Sequence, residues 1–337
     1  MTGQPSGHFT EEDIRPAHMM ADKDDRVAAD RQFLLSRKSE WVEVGCPACD
    51  SRDAKPFDQK LGFAYVECRR CRTVYTNPRP TPALLDAFYA SSQNYEYWNR
   101  HVFPASAAVR RERIFRPRAQ RISDCCRRLG IRGGTVLELG SAFGLFLEEV
   151  KALDLFDRII GLEPVPDLAA TCRAKGFETI ESPMEHVKDK AFADVVTAFE
   201  VIEHVFSPRQ FVRLCAGFLR KSGLLALSCP NRLGFDMATL RMESNSFDHE
   251  HLNYFHPESL AMMVESCGFE VIELQTPGKL DADIVRKRAL EGRIDLSGQP
   301  LLTQILFDRW DTLGAPFQEF LAANRLSGHM WILARLK

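Results

Sequence analysis

Residues 133–275 alternate between short apolar runs and longer amphipathic runs. The apolar runs have the length of strands, whereas the runs between them repeat apolar residues at helical spacing. Strands that are apolar throughout are typical of a parallel sheet with helices on both faces. The predicted strands are "TVLEL", "DRIIGLEP", "ADVVTAF" and "GLLALSCPN", then a helix and strand in "HPESLAMMVESCGFEVIEL", and a last strand in "HMWILARLK". This order predicts an α/β fold with a doubly wound sheet.

Two regions outside this alternation have helical patterns. Residues 1–40 are predicted to form a mobile or loosely helical arm, in which one amphipathic helix carries Val27, Phe33 and Leu34 on its apolar side. Residues 277–327, before the last strand, are more than a hairpin needs, so two or three helices are expected there. These helices would form a substrate cap or the surface of a homodimer.

Four cysteines between the arm and the sheet form two C-x2-C pairs separated by eighteen residues: Cys46, Cys49, Cys68 and Cys71. Each pair brings two thiolates to one side of a tight turn, and two turns complete the tetrahedron that Zn²⁺ prefers. Because all four ligands are cysteines, no position is left for a catalytic water, and the predicted zinc is structural. Residues 41–80 are therefore predicted to form a small zinc ribbon.

Composition and charge narrow the classes of function. Of the 337 residues, 45% are hydrophobic and 27% are charged, as in ordinary soluble domains. The net charge of −2 gives no overall attraction to nucleic acid or to an anionic membrane. No apolar run is long enough to span a bilayer, and the polar start lacks the apolar core of a signal peptide. Ten cysteines without an export signal favour a reducing compartment, so a cytoplasmic location is expected.

The segment "GSAFG" connects the first predicted strand to a helix. Its small residues Gly140, Ala142 and Gly144 allow a ligand to approach the backbone where the strand ends. Glu138 lies on the strand, and the pattern E-x-G-x-x-x-G differs from the dinucleotide pattern G-x-G-x-x-G. The second strand ends in Glu163, whose carboxylate is placed to accept hydrogen bonds from ribose hydroxyls. A nucleoside-containing ligand is therefore expected at this edge of the sheet.

The motifs "VLELGSAFG", "IIGLEP", "DVVTAFEVIEHV" and "GLLALSCPN", in this order, resemble the class I S-adenosylmethionine-dependent methyltransferases. The resemblance covers about residues 130–275 and the terminal strand. It implies a Rossmann-like sheet of seven strands whose last strand is antiparallel, with S-adenosylmethionine as cofactor. It also implies that the glycine-rich turn surrounds the methionine part, that Glu163 holds the ribose and that Ser182 and Met184 lie beside the adenine. Ala142 stands where many members have glycine. The resemblance assigns these residues to the cofactor: Glu138, Gly140, Ser141, Ala142, Gly144, Glu163, Pro164, Ser182, Met184, Phe199 and Glu200.

The stretch "FDHEHLNYF" contains four consecutive polar residues, Asp248, His249, Glu250 and His251. A metal site is one interpretation, although the two histidines do not have the spacing of the helical H-E-x-x-H motif. A structural role is a second interpretation, in which one of these histidines caps the next helix. His256, just before a proline, is better placed for that cap. A catalytic base is the third, because histidine titrates near neutral pH.

"HEHLNYF" resembles a box in nucleotide-sugar C-methyltransferases, which also carry an N-terminal zinc domain. The resemblance implies that His251 is the general base, with His249 beside it. Asp248 stands where that family has a catalytic tyrosine, and only 86 residues follow His251, fewer than the C-terminal domain of that family needs.

"FEVIEHV" at the end of the fourth strand contains Glu200, Glu203 and His204. It resembles the Glu-x-x-Glu-His motif of ubiquinone-pathway O-methyltransferases, whose acidic residues and histidine can bind a divalent cation. An alternative is the start of a helix, where carboxylates interact favourably with the helix dipole. Contact with the substrate is a third interpretation, and the sequence leaves all three open.

Nine arginines lie between Arg110 and Arg132. Such a run suggests binding to RNA, and some rRNA methyltransferases also carry a zinc module. However, Ile114, Ile122 and Cys126 recur at helical spacing. The run is therefore predicted to be a helix on the sheet with a solvated basic face, which would also suit anionic sugar nucleotides.

The predicted organisation is an arm (1–40), a zinc ribbon (41–80), a helical connector (81–132) and a methyltransferase domain (133–337) with a helical insertion (about 277–327). The predicted function is methyl transfer to a small acceptor, a sugar or sugar-like metabolite, on carbon or oxygen. The alternatives are a quinone-like aromatic hydroxyl, RNA docked by the ribbon, and a non-catalytic binding scaffold. The candidate catalytic residues are His251, His249, Glu203 and His204.

Overall fold

The computed structural model describes residues 9–21 and 23–337, so residues 1–8 and 22 of the predicted arm lie outside the described residues. The arm contains helices α1 (Ala17–Ala21) and α2 (Asp24–Leu35). Leu34 is completely buried in a cluster with Phe63 of the ribbon and Phe88 of the connector. The helix predicted in the arm is therefore present and packs against both following regions.

The ribbon consists of short strands around the two cysteine turns. Its strands are β1 (Trp41–Val42), β2 (Ala54–Lys60), β3 (Phe63–Cys68), β4 (Val74–Thr76) and β5 (Arg79–Pro80). Strands β2, β3 and β4 form an antiparallel sheet, and β1 pairs with β5. The segment after β5 leads directly into the connector.

The connector is mainly helical. Its helices are α3 (Pro82–Ser91), α4 (Gln93–Tyr97), α5 (Phe103–Arg110) and α6 (Arg116–Arg128), and widened π turns at Trp98–Val102 and Arg111–Phe115 join the last three. Ile122 and Cys126 are buried against the sheet. The connector therefore covers one face of the sheet with the apolar side of α6.

The first half of the methyltransferase region alternates strands and helices. It contains β6 (Thr135–Leu139), α7 (Leu145–Ala152), β7 (Arg158–Leu162), α8 (Pro166–Ala174), β8 (Glu178–Ile180), β9 (Ala193–Phe199), α9 (Pro208–Phe218), β10 (Leu219–Pro230) and α10 (Phe235–Leu240). Strand β10 begins at Leu219, four residues before the predicted run "GLLALSCPN", and passes Gly223 with an irregular register.

The second half adds β11 (Asn253–Tyr254), α11 (Pro257–Ser266), β12 (Phe269–Gln275), α12 (Asp281–Leu290), α13 (Pro300–Thr303), α14 (Trp310–Ala323) and β13 (His329–Leu336). His256 caps α11 through a reciprocal pair of contacts with Ser259, so the predicted cap is confirmed. Helices α12 to α14 occupy the predicted insertion. None of the described helices is long and apolar enough to cross a membrane.

The main sheet has seven strands in the order β12-β13-β10-β9-β6-β7-β8. Strand β13 is antiparallel to both of its neighbours, and the remaining pairs are parallel. All five residues of β6 are buried, as expected for a central strand covered on both faces. The predicted seven-stranded sheet with an antiparallel last strand is confirmed.

The interpretation of "FEVIEHV" as the start of a helix is wrong. Strand β9 ends at Phe199, irregular turns follow, and α9 begins only at Pro208. Glu200 adopts a left-handed backbone with φ of 57°, which ends the strand abruptly. The side chains of this segment therefore project from turns at the carboxyl edge of the sheet.

Candidate active site

The glycine-rich turn follows β6 and lies at the carboxyl edge of the sheet. Gly140 and Gly144 both have φ of 70°, a conformation that favours glycine. The Gly140 N–H donates to the Leu162 carbonyl at the end of β7. A Cβ atom at Gly144 would lie 3.2 Å from the Cys172 sulfur, so this position has no room for a side chain. Ala142 also has a positive φ, of 45°, and its small side chain leaves the turn open to a ligand.

Glu163 connects this turn to the end of β7. One carboxylate oxygen accepts from the Ala142 N–H at 2.8 Å, and the other accepts from the Val165 N–H at 3.0 Å. The side chain is buried, which raises the pKa of Glu163, while the two N–H donors oppose that shift. Each oxygen keeps a second lone pair for a ligand hydroxyl. Pro164, next in the chain, is exposed.

Glu138 is a buried carboxylate within β6. Its Oε2 atom is buried and has no hydrogen-bond partner among the described residues. Burial raises the pKa of Glu138 well above its ordinary value, and nearby Arg118 opposes the shift. A buried polar atom without a partner is costly, so a ligand group or water is expected to meet Glu138.

The residues expected beside the adenine have other contacts in the structure. Met184 is buried in the main hydrophobic core, and the Ser182 hydroxyl donates to the Pro183 carbonyl at 3.0 Å. The Ser141 hydroxyl lies 3.7 Å from the Cys172 sulfur. Their contact with a cofactor stays a prediction.

Arg118, which the sequence analysis assigned to a solvated basic face, points into the site. Its guanidinium lies 4.7 Å above the Phe199 ring and donates to Glu200 at 3.3 Å. It also lies 3.0 Å from Nε2 of His329, the first residue of β13. The Ser228 hydroxyl donates to the same Glu200 oxygen at 2.6 Å. The solvated face is therefore wrong for Arg118, whose side chain is only 12% exposed.

Glu203, His204 and His251 come together at the same edge. One ligand-capable atom from each lies within 4.8 Å of the others. The Nδ1 atom of His251 donates to the Ser246 carbonyl at 2.8 Å, and Nδ1 of His204 donates to the Glu250 carbonyl at 3.2 Å. Both rings therefore keep Nε2 as the nitrogen with a free lone pair. Glu203 and His204 belong to one predicted motif and His251 to another, and the fold brings the two motifs together.

The four polar residues of the "DHEH" stretch have different environments. Asp248 accepts from the backbone N–H groups of Glu250 and His251, at 2.9 and 2.8 Å, and so closes a tight turn. This turn directs His251 towards His204, with ring centres 4.7 Å apart, and His249 towards the connector, where it meets Phe88 at 5.7 Å. The two histidines of the stretch therefore do not act on one common point.

The electrostatics of the three grouped residues differ strongly. Burial and the neighbouring Glu200 raise the pKa of Glu203. Burial lowers the pKa of His204 to about 3, with His251 adding to the shift. Burial also lowers the pKa of His251, but Asp248 and Glu203 outweigh it and raise the pKa above its ordinary value. His251 is therefore the ring of this group best able to hold a proton near neutral pH.

Several buried polar atoms around this group lack a hydrogen-bond partner among the described residues. They are Glu203 Oε2, His249 Nε2, Asn94 Oδ1 and the Tyr89 hydroxyl. Asn94 donates to Glu250 at 2.8 Å, and the Tyr89 ring lies 6.5 Å from the His204 ring, so the connector and the loop share this space. Native proteins leave few such atoms unpaired, so a polar ligand is expected here.

The four ribbon cysteines also converge. The sulfur atoms of Cys46 and Cys71 lie 3.4 Å apart, those of Cys49 and Cys68 lie 3.5 Å apart, and all four lie within 4.8 Å of one another. A tetrahedral site with Zn–S distances of about 2.3 Å separates its sulfur atoms by about 3.8 Å. The geometry therefore fits a small zinc ribbon.

The central region is similar to known proteins. Residues 110–274 match the model described as "Methyltransferase domain". The curated relatives include the ubiquinone biosynthesis O-methyltransferases of Xanthomonas euvesicatoria pv. vesicatoria, 27% identical over 43% of this chain, and Burkholderia thailandensis, 24% identical over 44% of this chain. The matched region spans 66% and 65% of the length of these relatives, just under two thirds.

Solved structures with a similar fold include two S-adenosylmethionine-dependent methyltransferases. The protein from Thermotoga maritima has a TM-score of 0.45 and 16% identity, covering 71% of this chain and 98% of its own. The protein from Archaeoglobus fulgidus has a TM-score of 0.41 and 20% identity, covering 64% of this chain and 94% of its own.

The seven-stranded sheet agrees with the match of residues 110–274 to a methyltransferase domain. A cysteine cluster that fits a zinc ribbon precedes this region.

Proposed function

We propose that the chain transfers a methyl group from S-adenosylmethionine to a small polar acceptor, on oxygen or carbon, with His251 as general base. The observation that carries the proposal is the environment of His251. Its Nδ1 proton is held by the Ser246 carbonyl, so Nε2 is left to accept a proton. Glu203, His249, Asn94 and Tyr89, near His251, carry buried polar atoms that lack partners among the described residues.

The cofactor side of the proposal rests on the turn after β6. The open backbone of Gly140–Gly144 receives the methionine part, and Glu163 accepts from the ribose hydroxyls through its free lone pairs. The Arg118 guanidinium is placed to pair with the cofactor carboxylate. Phe199 and Glu200 line the boundary between the cofactor and acceptor spaces.

The residues on the acceptor side have to orient the acceptor and remove one proton. When bound, S-adenosylmethionine supplies a methyl group already activated by its sulfonium. The acceptor atom forms a bond to the methyl carbon as the carbon–sulfur bond breaks, and that electron pair stays on sulfur. His251 Nε2 takes the acceptor proton. Positioning can contribute about 7–11 kcal/mol, and a positioned base adds about 10²–10⁴-fold in rate.

A sugar or sugar-like acceptor is the preferred substrate class. Glu203, His249, Asn94 and Tyr89 each offer a buried polar atom without a partner among the described residues. An acceptor with several hydroxyls would satisfy these atoms, whereas an apolar ring would leave them unpaired. A nucleotide sugar would also satisfy these atoms, because its reactive part carries several hydroxyls.

An aromatic hydroxyl of a quinone-like acceptor is the second candidate. It is supported by the curated relatives, which are named as ubiquinone biosynthesis O-methyltransferases. The grouping of Glu203, His204 and His251 would also suit a divalent cation that orients such a hydroxyl. RNA docked by the ribbon and a non-catalytic scaffold are the remaining alternatives.

One experiment separates these candidates. The protein is incubated with methyl-labelled S-adenosylmethionine and, in parallel, with nucleotide sugars, a catechol, and RNA. Label in the sugar pool supports the proposal. Label in the catechol supports the second candidate, and label in RNA gives the ribbon a docking role. Cofactor binding without label in any pool favours the scaffold.

We also propose one structural zinc ion per chain, held by the four ribbon cysteines. Metal analysis of the purified protein is expected to give about one zinc per chain. The double variant Cys46→Ser/Cys49→Ser should lose it, because two ligands are removed, whereas Cys267→Ser, outside the cluster, should keep it. A stably folded wild-type protein without zinc would contradict this proposal.

A further inference from the structure

The ribbon and the acceptor side of the site share one sheet. Strand β11 pairs antiparallel with β4, matching Asn253 with Tyr75 and Tyr254 with Val74. The ribbon sheet thereby gains a fourth strand from the methyltransferase region. Because β11 begins two residues after His251, the ribbon directly fixes the backbone next to the proposed base.

Further contacts from the ribbon surround His251 on both sides in sequence. The Thr76 N–H donates to the Leu252 carbonyl at 3.0 Å, and the Thr76 hydroxyl donates to the His251 carbonyl at 3.4 Å. On the other side, the Tyr65 hydroxyl donates to the Asp248 carbonyl at 3.3 Å. The loop is therefore held by the ribbon both before and after His251.

Arg79 of β5 adds a buried link. It is completely buried and donates to the Thr76, Leu252 and Phe206 carbonyls and to the Asn253 side chain, at 3.0 to 3.1 Å. These four acceptors are neutral, and they belong to the ribbon, to the loop after His251 and to the turn after His204. A buried guanidinium bonded in this way connects three segments that meet at the proposed acceptor site.

The cofactor turn has separate support. The hydrogen bonds of residues 138–144 go to β7 and β9, to the first turn of α7, and to Glu163, Cys172 and Lys175, and within the described residues none goes to the ribbon. Loss of the ribbon contacts would therefore disturb the loop of His251 before it disturbs the cofactor turn.

We propose that the ribbon is the scaffold of the acceptor side, and that Arg79 is a positioning residue that holds the His251 loop against it. The expected effect of Arg79 on turnover rests on the proposed role of His251. The effect of Arg79 on the loop itself does not depend on that role.

The test compares the zinc-loaded full chain with Arg79→Met, and uses Arg70→Ala as control because Arg70 is an exposed arginine in the second cysteine turn. Hydrogen–deuterium exchange of residues 247–255 is expected to become about tenfold faster in Arg79→Met, while residues 138–144 keep their exchange rate. Turnover should fall about tenfold or more, since small displacements of reacting groups are costly. The cofactor Kd, measured by calorimetry, should stay within about twofold, and Arg70→Ala should behave as wild type.

The double variant Tyr65→Phe/Thr76→Val provides a milder test if Arg79→Met does not fold. It removes only the two hydroxyl contacts to the loop, and faster exchange confined to residues 247–255 is again expected. Unchanged exchange of this loop in a folded variant, or equal acceleration in residues 138–144, would overturn the proposal. If the wild-type protein methylates no acceptor but the variant still shows faster loop exchange, the result would support the role of the ribbon in holding the loop and would reject the proposed function.

Discussion

His251→Ala is expected to lower the turnover of methyl transfer by about 10²–10⁴-fold, the range that a positioned base contributes. The cofactor Kd should change little, because the His251 ring donates to the Ser246 carbonyl, whereas the turn after β6 is bonded to Glu163. Turnover is measured with labelled cofactor and binding by calorimetry. His18→Ala, which removes an exposed histidine in α1, is the control. Full turnover in a folded His251→Ala protein would show that another group removes the acceptor proton.

The pH profile gives an independent check on the same residue. Asp248 and Glu203 raise the pKa of His251 above its ordinary value, against the effect of burial. A base must be deprotonated to act, so turnover should increase as the pH rises through this raised pKa and then level off. If the turnover of His251→Gln falls at low pH in the same way as that of the wild type, a different group titrates.

Glu163→Ala is expected to raise the cofactor Kd by about 10–100-fold, since one charge-assisted hydrogen bond of about 1.5–3 kcal/mol would be lost. The same substitution frees the Ala142 and Val165 N–H groups, which weakens the shape of the turn. Calorimetry gives the Kd, and circular dichroism checks that the protein is folded.

Glu265→Ala, which removes an exposed carboxylate on α11, should leave the affinity at the wild-type value. If Glu163→Ala binds the cofactor as tightly as wild type, the ribose does not lie at Glu163. The cofactor Kd of Glu163→Gln should lie between those of the wild type and Glu163→Ala, because the amide keeps one acceptor oxygen but loses the charge.

The parts of the site predicted from the sequence depend on local signals. Gly140 and Gly144 are needed because the backbone there has positive φ, and Glu163 marks a strand end that periodicity already defines. Six strands of the main sheet follow from apolar runs visible in the chain, whereas β8 has only three residues and the number seven came from the family resemblance. Such features require few long-range contacts, so a sequence can report them.

The features that the sequence analysis missed depend on long-range packing. Arg118 enters the site because of how α6 rotates on the sheet, and nothing distinguishes it from its neighbouring arginines in the sequence. Strand β11 is two residues long and shows no periodicity, so its pairing with β4 has no local signal. The opposite directions of His249 and His251 follow from the turn closed by Asp248.

The pairing of β11 with β4 also has a consequence for the order of folding during synthesis. Thr76 and His251, which this pairing brings together, are 175 positions apart. At about 5–20 residues per second, the ribosome needs roughly 10–35 s to make the intervening chain. During that time the cysteine turns can close while the outer edge of β4 has no partner, and an unpaired strand edge favours aggregation. The nascent ribbon is therefore a segment for which we expect chaperone protection until the domain behind it is nearly complete.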